Sequence, residues 1–219
     1  MLLIEVAQLP GAEDLRAQLT SRYPRDARQS WKPLSAISPR LKDSVVVWED
    51  PGFYHHSGVS LGAMYEALSA NLKAGAYERG GSTIPQQVVK NLFLTREKTL
   101  RRKFQDMILA RRLEQVLSKE EILEVYLNTA EWGENIHGAE AAARFYFGIS
   151  ASDLNWQQAA LLTGILANPR ALNPCLHPAE ATQRRNVVLG VLQKEGQITK
   201  EEYEAALGAP LGVVCGRGP

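Results

Sequence analysis

The sequence lacks both a long apolar run and a recognisable secretion signal. Its longest strongly apolar stretch, residues 159–167, is far shorter than the about 20 residues that a membrane-spanning helix requires. The apolar start of the chain is brief and is interrupted by Glu5, so it does not have the apolar core of a secretory signal. We therefore expect that the chain as given does not cross a membrane, although it can still lie on one.

Cysteine and histidine are also scarce. The chain has two cysteines, Cys175 and Cys215, and four histidines, and none of them has the spacing of a metal-ligand cluster. No metal-ligating residue is predicted. The two cysteines permit a disulfide but do not require one, so their pairing and the redox compartment stay open.

The chain as a whole has no excess of charge of either sign. Its formal net charge is +1, from 25 basic and 24 acidic residues, which gives no argument for nucleic acid as a partner. Between positions 90 and 112, however, eight basic residues stand against two acidic ones. This basic segment predicts a local anionic partner, with a solvated helix face as the alternative. Its members are Lys90, Arg96, Lys98, Arg101, Arg102, Lys103, Arg111 and Arg112.

An apolar periodicity typical of helices runs through most of the chain. It predicts a mainly α fold, one compact unit with a smaller lobe around residues 60–85. The clearest helix covers residues 100–117, with Leu100, Phe104 and Leu113 on its apolar face. The other predicted helices are residues 61–73, 86–94, 139–147, 156–167, 180–194 and 200–207, and one that begins at the Ser118 capping box.

Two carboxylates follow an apolar run at residues 45–48, which fits either a short strand or a buried helix. At the end of a buried segment Glu49 and Asp50 can be partly desolvated, which raises a carboxyl pKa toward the range useful for general acid–base chemistry. His56 is close enough in sequence to share the same cleft. The alternative is a turn with two solvated acids.

A glycine pair at positions 80–81 leads into the hydroxyls of Ser82 and Thr83 and a predicted helix start. Backbone N–H groups and hydroxyls at such a place suit a phosphate. The amides of Gln86 and Gln87 add donors and acceptors that suit sugar hydroxyls. No Gly-Lys-Ser/Thr follows, so this is not a Walker loop, and the alternative is an ordinary capped loop.

A third cluster combines cations with a carboxylate. Asp106 stands four residues after Arg102 and three after Lys103, so the three side chains can meet on one helix face. Together with Lys90 they can bind a pyrophosphate and keep Asp106 ionised at neutral pH. The alternative is an intrahelical ion pair.

These segments belong to an ordered series of five motifs. The series resembles peptidoglycan glycosyltransferase family 51, most closely its monofunctional members, from about residue 31 to about residue 206. The resemblance implies an N-terminal extension at residues 1–30, a glycosyltransferase domain at 31–206 with the small lobe about 60–85, and a C-terminal tail at 207–219. The motifs are Glu49-Asp50-Pro-Gly-Phe53-Tyr-His-His56-Ser-Gly58, Gly80-Gly81-Ser82-Thr83-Ile84-Pro85-Gln86-Gln87-Val-Val-Lys90-Asn91, Arg102-Lys103-Phe-Gln-Asp106, Lys119-Glu-Glu-Ile122-Leu123-Glu-Val-Tyr126-Leu127-Asn128 and Gly138-Ala-Glu-Ala-Ala142-Ala-Arg-Phe-Tyr146-Phe147-Gly148.

The resemblance implies a lysozyme-like larger helical lobe and a small membrane-facing lobe. It also implies that lipid II, carried on undecaprenyl pyrophosphate, is polymerised into glycan strands. The acceptor's GlcNAc 4-hydroxyl attacks C1 of the donor's MurNAc with inversion, which gives a β-1,4 link. Glu49 would be the general base and Asp106 the second catalytic carboxylate. The implied substrate-binding residues are Asp50, His56, Ser82, Thr83, Gln86, Gln87, Lys90, Arg102 and Lys103.

Elementary chemistry agrees with this reaction. A sugar hydroxyl is a poor nucleophile, so a base must take its proton as the bond forms. The leaving pyrophosphate gains charge, which the fixed cations or a divalent Mg or Mn ion would stabilise. The expected partners are lipid II, the growing glycan strand, the membrane surface and proteins of cell-wall synthesis or division. The expected location is the outer face of the bacterial cytoplasmic membrane, peripherally bound.

The chain departs from the family pattern in three ways. Asp106 stands where the family usually has Glu, which retracts the carboxylate by on the order of 1 Å, and such a displacement can lower a rate roughly a hundredfold. Pro85 replaces the usual Thr and removes a hydroxyl and a backbone donor. The usual N-terminal membrane anchor is missing from the sequence, so we expect a trimmed form, a divergent member or one recruited by a partner.

Two rival functions stay open at this point. The first is a catalytically impaired family member that binds lipid II or division proteins. The second is a lysozyme-like enzyme that cleaves glycan with Glu49 as general acid. The second rival gives no reason for the basic segment.

Overall fold

The computed structural model describes residues 9–22, 31–62, 64–65, 69, 80–94 and 99–216, and over these residues the fold is mainly α, as predicted. Single turns of 3₁₀ helix occur at Leu34–Ala36 and Ala151–Asp153. No helix in the described ranges is long and apolar enough to cross a membrane. The elements are α1 (Ala12–Arg22), α2 (Pro39–Glu49), α3 (Ile84–Phe93), α4 (Leu100–Val116), α5 (Lys119–Thr129), β1 (Glu131–Gly133), β2 (Ile136–His137), α6 (Ala139–Phe147), α7 (Trp156–Ile165), α8 (Pro178–Lys194) and α9 (Lys200–Gly208).

The chain divides into two compact units, where the sequence predicted one with a smaller lobe. The first unit comprises Met1–Gln29 and Glu49–Tyr126, and the second comprises Ser30–Trp48 and Leu127–Pro219. The domain boundaries implied by the family resemblance stay a prediction. Most of the predicted helix at residues 61–73 lies outside the described residues, but positions 61–62, 64–65 and 69 are helical.

Local capping explains where the helices of the first unit begin. The Thr83 side chain accepts a hydrogen bond from the backbone N–H of Gln86, and the Gln86 side chain accepts one from the backbone N–H of Thr83. This reciprocal pair satisfies two backbone donors that a helix start leaves unpaired. Pro85 occupies the first turn of α3, where its missing N–H removes no intrahelical hydrogen bond. The proline therefore fits this helix without loss.

The buried face of α4 differs from the predicted apolar stripe. Leu113 is buried as expected, but Leu100 is 91% exposed and Phe104 is also exposed. The buried face instead includes Leu109 and Asp106, and α4 packs against α1 and α3. The prediction was wrong because the apolar period placed Leu100 and Phe104 on the buried face, whereas the buried Asp106 has partners inside the first unit that its charge requires.

The second unit has its own apolar core, which includes one end of α2. The run at residues 45–48 is helical, so the buried-helix alternative is the one adopted. A hairpin that the sequence did not predict, β1–β2, pairs Glu131 with His137. After it Gly138 has φ +90, and a Cβ there would lie 2.9 Å from the Asn128 carbonyl oxygen. The core is formed by Ala160, Val188, Leu189, Leu192, Ile198 and Ala206, with Val47, Trp48, Trp156, Tyr203 and Leu207 packed against it.

A disulfide joins Cys175 to Cys215, which settles a pairing that the sequence left open. It closes a separation of 40 residues between the segment before α8 and the C-terminal tail. The tail is also held by a hydrogen bond from the backbone N–H of Val214 to the Tyr146 carbonyl oxygen, at 2.8 Å. Both restraints lie within the second unit.

Candidate active site

The turn after α2 is fixed by the buried carboxylate of Asp50. It accepts hydrogen bonds from His56 Nε2, at 2.9 and 3.0 Å to its two oxygens, and from the backbone N–H of Ile84 at 2.9 Å. Ile84 is the first residue of α3, where a negative charge is favourable. Asp50 and His56 therefore tie the first motif to the helix that carries the second.

Glu49 is held by an amide from α3. Gln87 Nε2 donates a hydrogen bond of 2.7 Å to Glu49 Oε2. The oxygen of the same amide, Gln87 Oε1, accepts a hydrogen bond of 3.2 Å from the Tyr126 hydroxyl. Glu49 is partly exposed, so its carboxylate is both positioned from within the first unit and accessible.

Asp106 is held in a similar way by the preceding glutamine. Gln86 Nε2 donates a hydrogen bond of 2.7 Å to Asp106 Oδ1. Gln86 Oε1 accepts from the backbone N–H of Thr83 at 3.0 Å. The Thr83 hydroxyl donates to the Gly58 carbonyl oxygen at 2.6 Å, so both Thr83 and Gln86 are buried and bonded to protein groups. Consecutive glutamines of one helix thus each hold one of the two carboxylates.

Cations surround the buried acid. Lys103 Nζ lies 3.6 Å from Asp106 Oδ1 and donates a hydrogen bond of 3.0 Å to the Ser82 hydroxyl. Lys90 is close enough to interact electrostatically with Arg102, Glu49, Asp106 and Lys103. Arg102 Nε is buried and has no hydrogen-bond partner among the described residues, which leaves a charged donor to be satisfied. The site therefore combines two acids with three cations in the first unit.

Burial has a larger effect than neighbouring charge on the pKa values of Lys90 and Asp106. Burial lowers the pKa of Lys90, and Arg102 lowers it further, while Glu49 and Asp106 act in the opposite direction. Burial raises the pKa of Asp106, against the opposing effects of Lys103 and Gln86. The cations were expected to govern Asp106, but desolvation has the larger effect.

Further side chains that support the site were not selected from the sequence. Lys119 Nζ donates hydrogen bonds of 2.6 Å to the His56 carbonyl oxygen and to Glu114 Oε1, and it lies 4.8 Å from the centre of the Phe53 ring. Lys119 therefore secures the turn of the first motif from the start of α5. Its place in the fourth motif was the available signal, as it was for Tyr126, whereas Glu114 lies between motifs and gave none.

The structure brings together all the residues proposed for the site. Glu49, Asp106 and the nine residues assigned to substrate binding belong to the first unit, and the contacts above connect them. Within the described ranges no group of three or more His, Cys, Asp or Glu could hold a metal ion. The arrangement places two carboxylates, each held by a glutamine, beside three cationic side chains.

The chain is similar to several known proteins. A protein-family model described as Transglycosylase matches residues 16–193. A biosynthetic peptidoglycan transglycosylase from Nitrosospira multiformis is 44% identical over 163 residues, which cover 74% of this chain and 71% of that protein. A crystal structure of penicillin-binding protein 1A from Haemophilus influenzae is 32% identical, with a TM-score of 0.43, and the match covers 61% of this chain and 17% of that one.

Larger proteins carry a similar segment. Penicillin-binding protein 1A from Aquifex aeolicus is 43% identical over 180 residues, which cover 82% of this chain and 25% of that protein. Penicillin-binding protein 1B from Haemophilus influenzae is 40% identical over 185 residues, which cover 83% of this chain and 24% of that protein. This chain thus spans about a quarter of the length of these two relatives. Because the family model covers most of the chain and a relative of comparable length is 44% identical, the chain belongs to the transglycosylase family.

Proposed function

We propose that this chain is a peptidoglycan glycosyltransferase that polymerises lipid II into β-1,4-linked glycan strands with inversion at the anomeric carbon. The observation that carries the proposal is the juxtaposition of Glu49 and Asp106 with Lys90, Arg102 and Lys103 inside one compact unit. A transfer that deprotonates a sugar alcohol and releases a diphosphate needs both kinds of group.

Glu49 acts as the general base. The 4-hydroxyl oxygen of the acceptor GlcNAc attacks C1 of the donor MurNAc, and its proton passes to the Glu49 carboxylate as the C–O bond forms. The hydrogen bond from Gln87 orients that carboxylate and favours its ionised form. Partial exposure of Glu49 allows a substrate hydroxyl to reach it.

The cations receive the leaving group. The bond from C1 to the pyrophosphate oxygen breaks with its electron pair on that oxygen, and undecaprenyl pyrophosphate departs. Arg102 and Lys103 stabilise the developing charge, and the unpaired Arg102 Nε gains an acceptor when a phosphate oxygen approaches. Lys90, whose pKa burial lowers, contributes to the same charge stabilisation while it stays protonated.

The remaining proposed substrate-binding residues divide into two groups. Ser82 and Gln87 are partly exposed and can also contact substrate. Asp50, Thr83 and Gln86 are buried and bonded within the protein, so we assign them to positioning the site. The last member, His56, joins this second group because both oxygens of Asp50 contact its Nε2.

Over the part of the chain that the structure describes, a divalent metal has no protein-only cage in this site. The described residues provide two carboxylates among three cations and no cluster of three or more metal-binding side chains, so they do not fit a resident ion. Charge stabilisation is therefore assigned to the cationic side chains of the site.

The substrate is lipid-linked, so we place the enzyme on the outer face of the cytoplasmic membrane, bound peripherally. Leu61 and Tyr65 of the first unit are 71% and 74% exposed, as expected for side chains that enter a lipid surface. The substrates are lipid II and the growing strand, and contact with proteins of cell-wall synthesis or division is part of the proposal.

The direct test is a gel assay for glycan chains formed from labelled lipid II, run with and without added divalent metal and with a chelator. Wild-type protein is expected to give polymer, and Glu49→Gln to lower the rate about a hundredfold or more because the base is removed. The circular dichroism spectrum of Glu49→Gln should match that of the wild type. Polymer formation by Glu49→Gln at the wild-type rate would refute the role of this carboxylate.

A further inference from the structure

A chain of two hydrogen bonds connects the fourth motif to the proposed base. The Tyr126 hydroxyl donates to Gln87 Oε1 at 3.2 Å, and Gln87 Nε2 donates to Glu49 Oε2 at 2.7 Å. We infer that Tyr126 is a positioning residue for Glu49 and acts by fixing the orientation of the Gln87 amide. This inference rests on the proposed function, in which Glu49 is the general base.

The orientation matters because the two ends of an amide have opposite hydrogen-bonding character. With Nε2 toward Glu49, Gln87 stabilises an ionised carboxylate. In the reversed orientation Gln87 Oε1 would face Glu49, which suits a protonated carboxyl and repels a carboxylate. If the Gln87 amide could rotate freely, it would turn its oxygen toward Glu49 whenever that carboxyl is protonated. This would stabilise the protonated form and make Glu49 a less effective base at a given pH.

Tyr126 opposes that reversal. Its side chain is 2% exposed, so its hydroxyl proton needs an acceptor inside the protein. Gln87 Oε1 is that acceptor, and reversing the amide would replace it with the Nε2 donor. Burial raises the pKa of Tyr126 well above its ordinary value, and the charges of Glu49 and Asp50 add to the effect, so the hydroxyl keeps its proton.

The neighbouring carboxylate has an independent counterpart of this arrangement. Gln86 Nε2 faces Asp106, and Gln86 Oε1 is fixed by the backbone N–H of Thr83. This donor is a backbone N–H, which every substitution except one by proline leaves in place. Tyr126 performs the same task for Gln87 with a side chain, which makes the inference open to test.

The test is the pH dependence of polymerisation by Tyr126→Phe, which removes the hydroxyl and keeps the ring. We expect kcat near neutral pH to fall roughly three- to tenfold, the range set by one hydrogen bond, with little change in KM. The acid limb of the kcat/KM profile should move to higher pH, because a reversible Gln87 amide favours the protonated form of Glu49. An acid limb that coincides with the wild-type limb would overturn the inference.

Tyr146→Phe is the matched control. Tyr146 is also a buried tyrosine, and its hydroxyl donates to the Trp132 carbonyl oxygen at 2.8 Å in the second unit. Its loss should lower the temperature of unfolding without moving the acid limb. A shift of equal size in both variants would assign the effect to general loosening and would also overturn the inference.

A second variant makes the same test without changing Tyr126. Gln87→Met keeps the side-chain length and removes the amide, so it should also move the acid limb to higher pH, and adding Tyr126→Phe should then change the limb little. Fully additive shifts would contradict action through Gln87. If the wild type polymerises lipid II and Glu49→Gln does not, an unchanged acid limb in Tyr126→Phe refutes this inference alone. An inactive wild type, or an active Glu49→Gln, refutes the proposed function.

Discussion

Asp106 carries its charge at a place that disfavours it. Burial raises its pKa above the ordinary value of 3.8, so the folded protein binds a proton there more tightly than the unfolded chain does. Above pH 3.8 the ionised carboxylate therefore subtracts from the free energy of unfolding. A buried charge retained under such conditions is typical of a functional group.

Asp106→Asn should separate these two properties. The neutral amide can still accept from Gln86, so the unfolding temperature at neutral pH should stay equal or rise, while polymerisation falls on the order of a hundredfold because the charge is lost. Unfolding temperatures measured from neutral pH to below pH 3.8 check the effect on stability. Any stability gain of Asp106→Asn over the wild type should vanish at low pH, where wild-type Asp106 is itself protonated. An unfolding temperature well below that of the wild type at neutral pH would contradict the argument.

At this scale the sequence predicted local contacts well and distant ones poorly. The capping box at Ser118 was predicted because its two partners lie three residues apart. The hydrogen bond from Gln86 to Asp106 spans 20 positions and that from Gln87 to Glu49 spans 38, and no local pattern encodes either. The residue types were therefore predictable, but their pairing was not.

At the scale of elements, Glu140 joins α6 to the 3₁₀ turn Ala151–Asp153. Its carboxylate accepts from the backbone N–H of Ala151 at 2.8 Å, from the Ser150 hydroxyl at 3.0 Å and from Arg144 Nε at 3.0 Å. Burial alone would raise the pKa of Glu140, but these donors outweigh it and lower the pKa below 4.5. The contribution to stability is thus present above pH 4.5 and is lost as pH falls through the lowered value.

Glu140→Gln is expected to lower the free energy of unfolding by about 1–3 kcal/mol at neutral pH, because an amide N–H₂ must face donors at one of its ends. The difference should disappear in strong acid, where the wild-type carboxyl is protonated. Chemical denaturation at neutral and acid pH measures both values. A penalty of the same size at the two pH values would show that charge is not involved.

Helix positions were predicted more reliably than helix faces. Periodicity gave α3, α4 and α6 to within two residues of their observed ends. The prediction of the buried face of α4 was wrong because Leu100 and Phe104 follow the apolar period but are exposed, while Asp106 is buried. The hairpin was missed because its strands are three and two residues long, too short for an alternating pattern.

At the scale of the whole molecule, exposed apolar side chains of the first unit bear on attachment to lipid. Leu61→Asp combined with Tyr65→Asp should weaken binding to vesicles of phosphatidylcholine and phosphatidylglycerol on the order of tenfold or more, because both side chains lose apolar area that the lipid would bury. Cosedimentation measures the bound fraction.

Leu176→Asp supplies the control for this prediction. Leu176 is 70% exposed, similar to Leu61, but it belongs to the second unit beside the disulfide. It should leave vesicle binding unchanged. Equal loss in the two variants would mean that added negative charge, and not the position of the apolar side chains, weakens the binding.

Gln86 and Gln87 are consecutive residues of α3, so their side chains leave the helix about 100° apart. One helix, α3, therefore carries the glutamine side chains that hold both carboxylates. A rotation of α3 would displace Gln86 and Gln87 together, and with them the carboxylates of Asp106 and Glu49. Restoring the contact of one glutamine would leave the other carboxylate displaced. The positions of the two carboxylates therefore depend on one and the same helix.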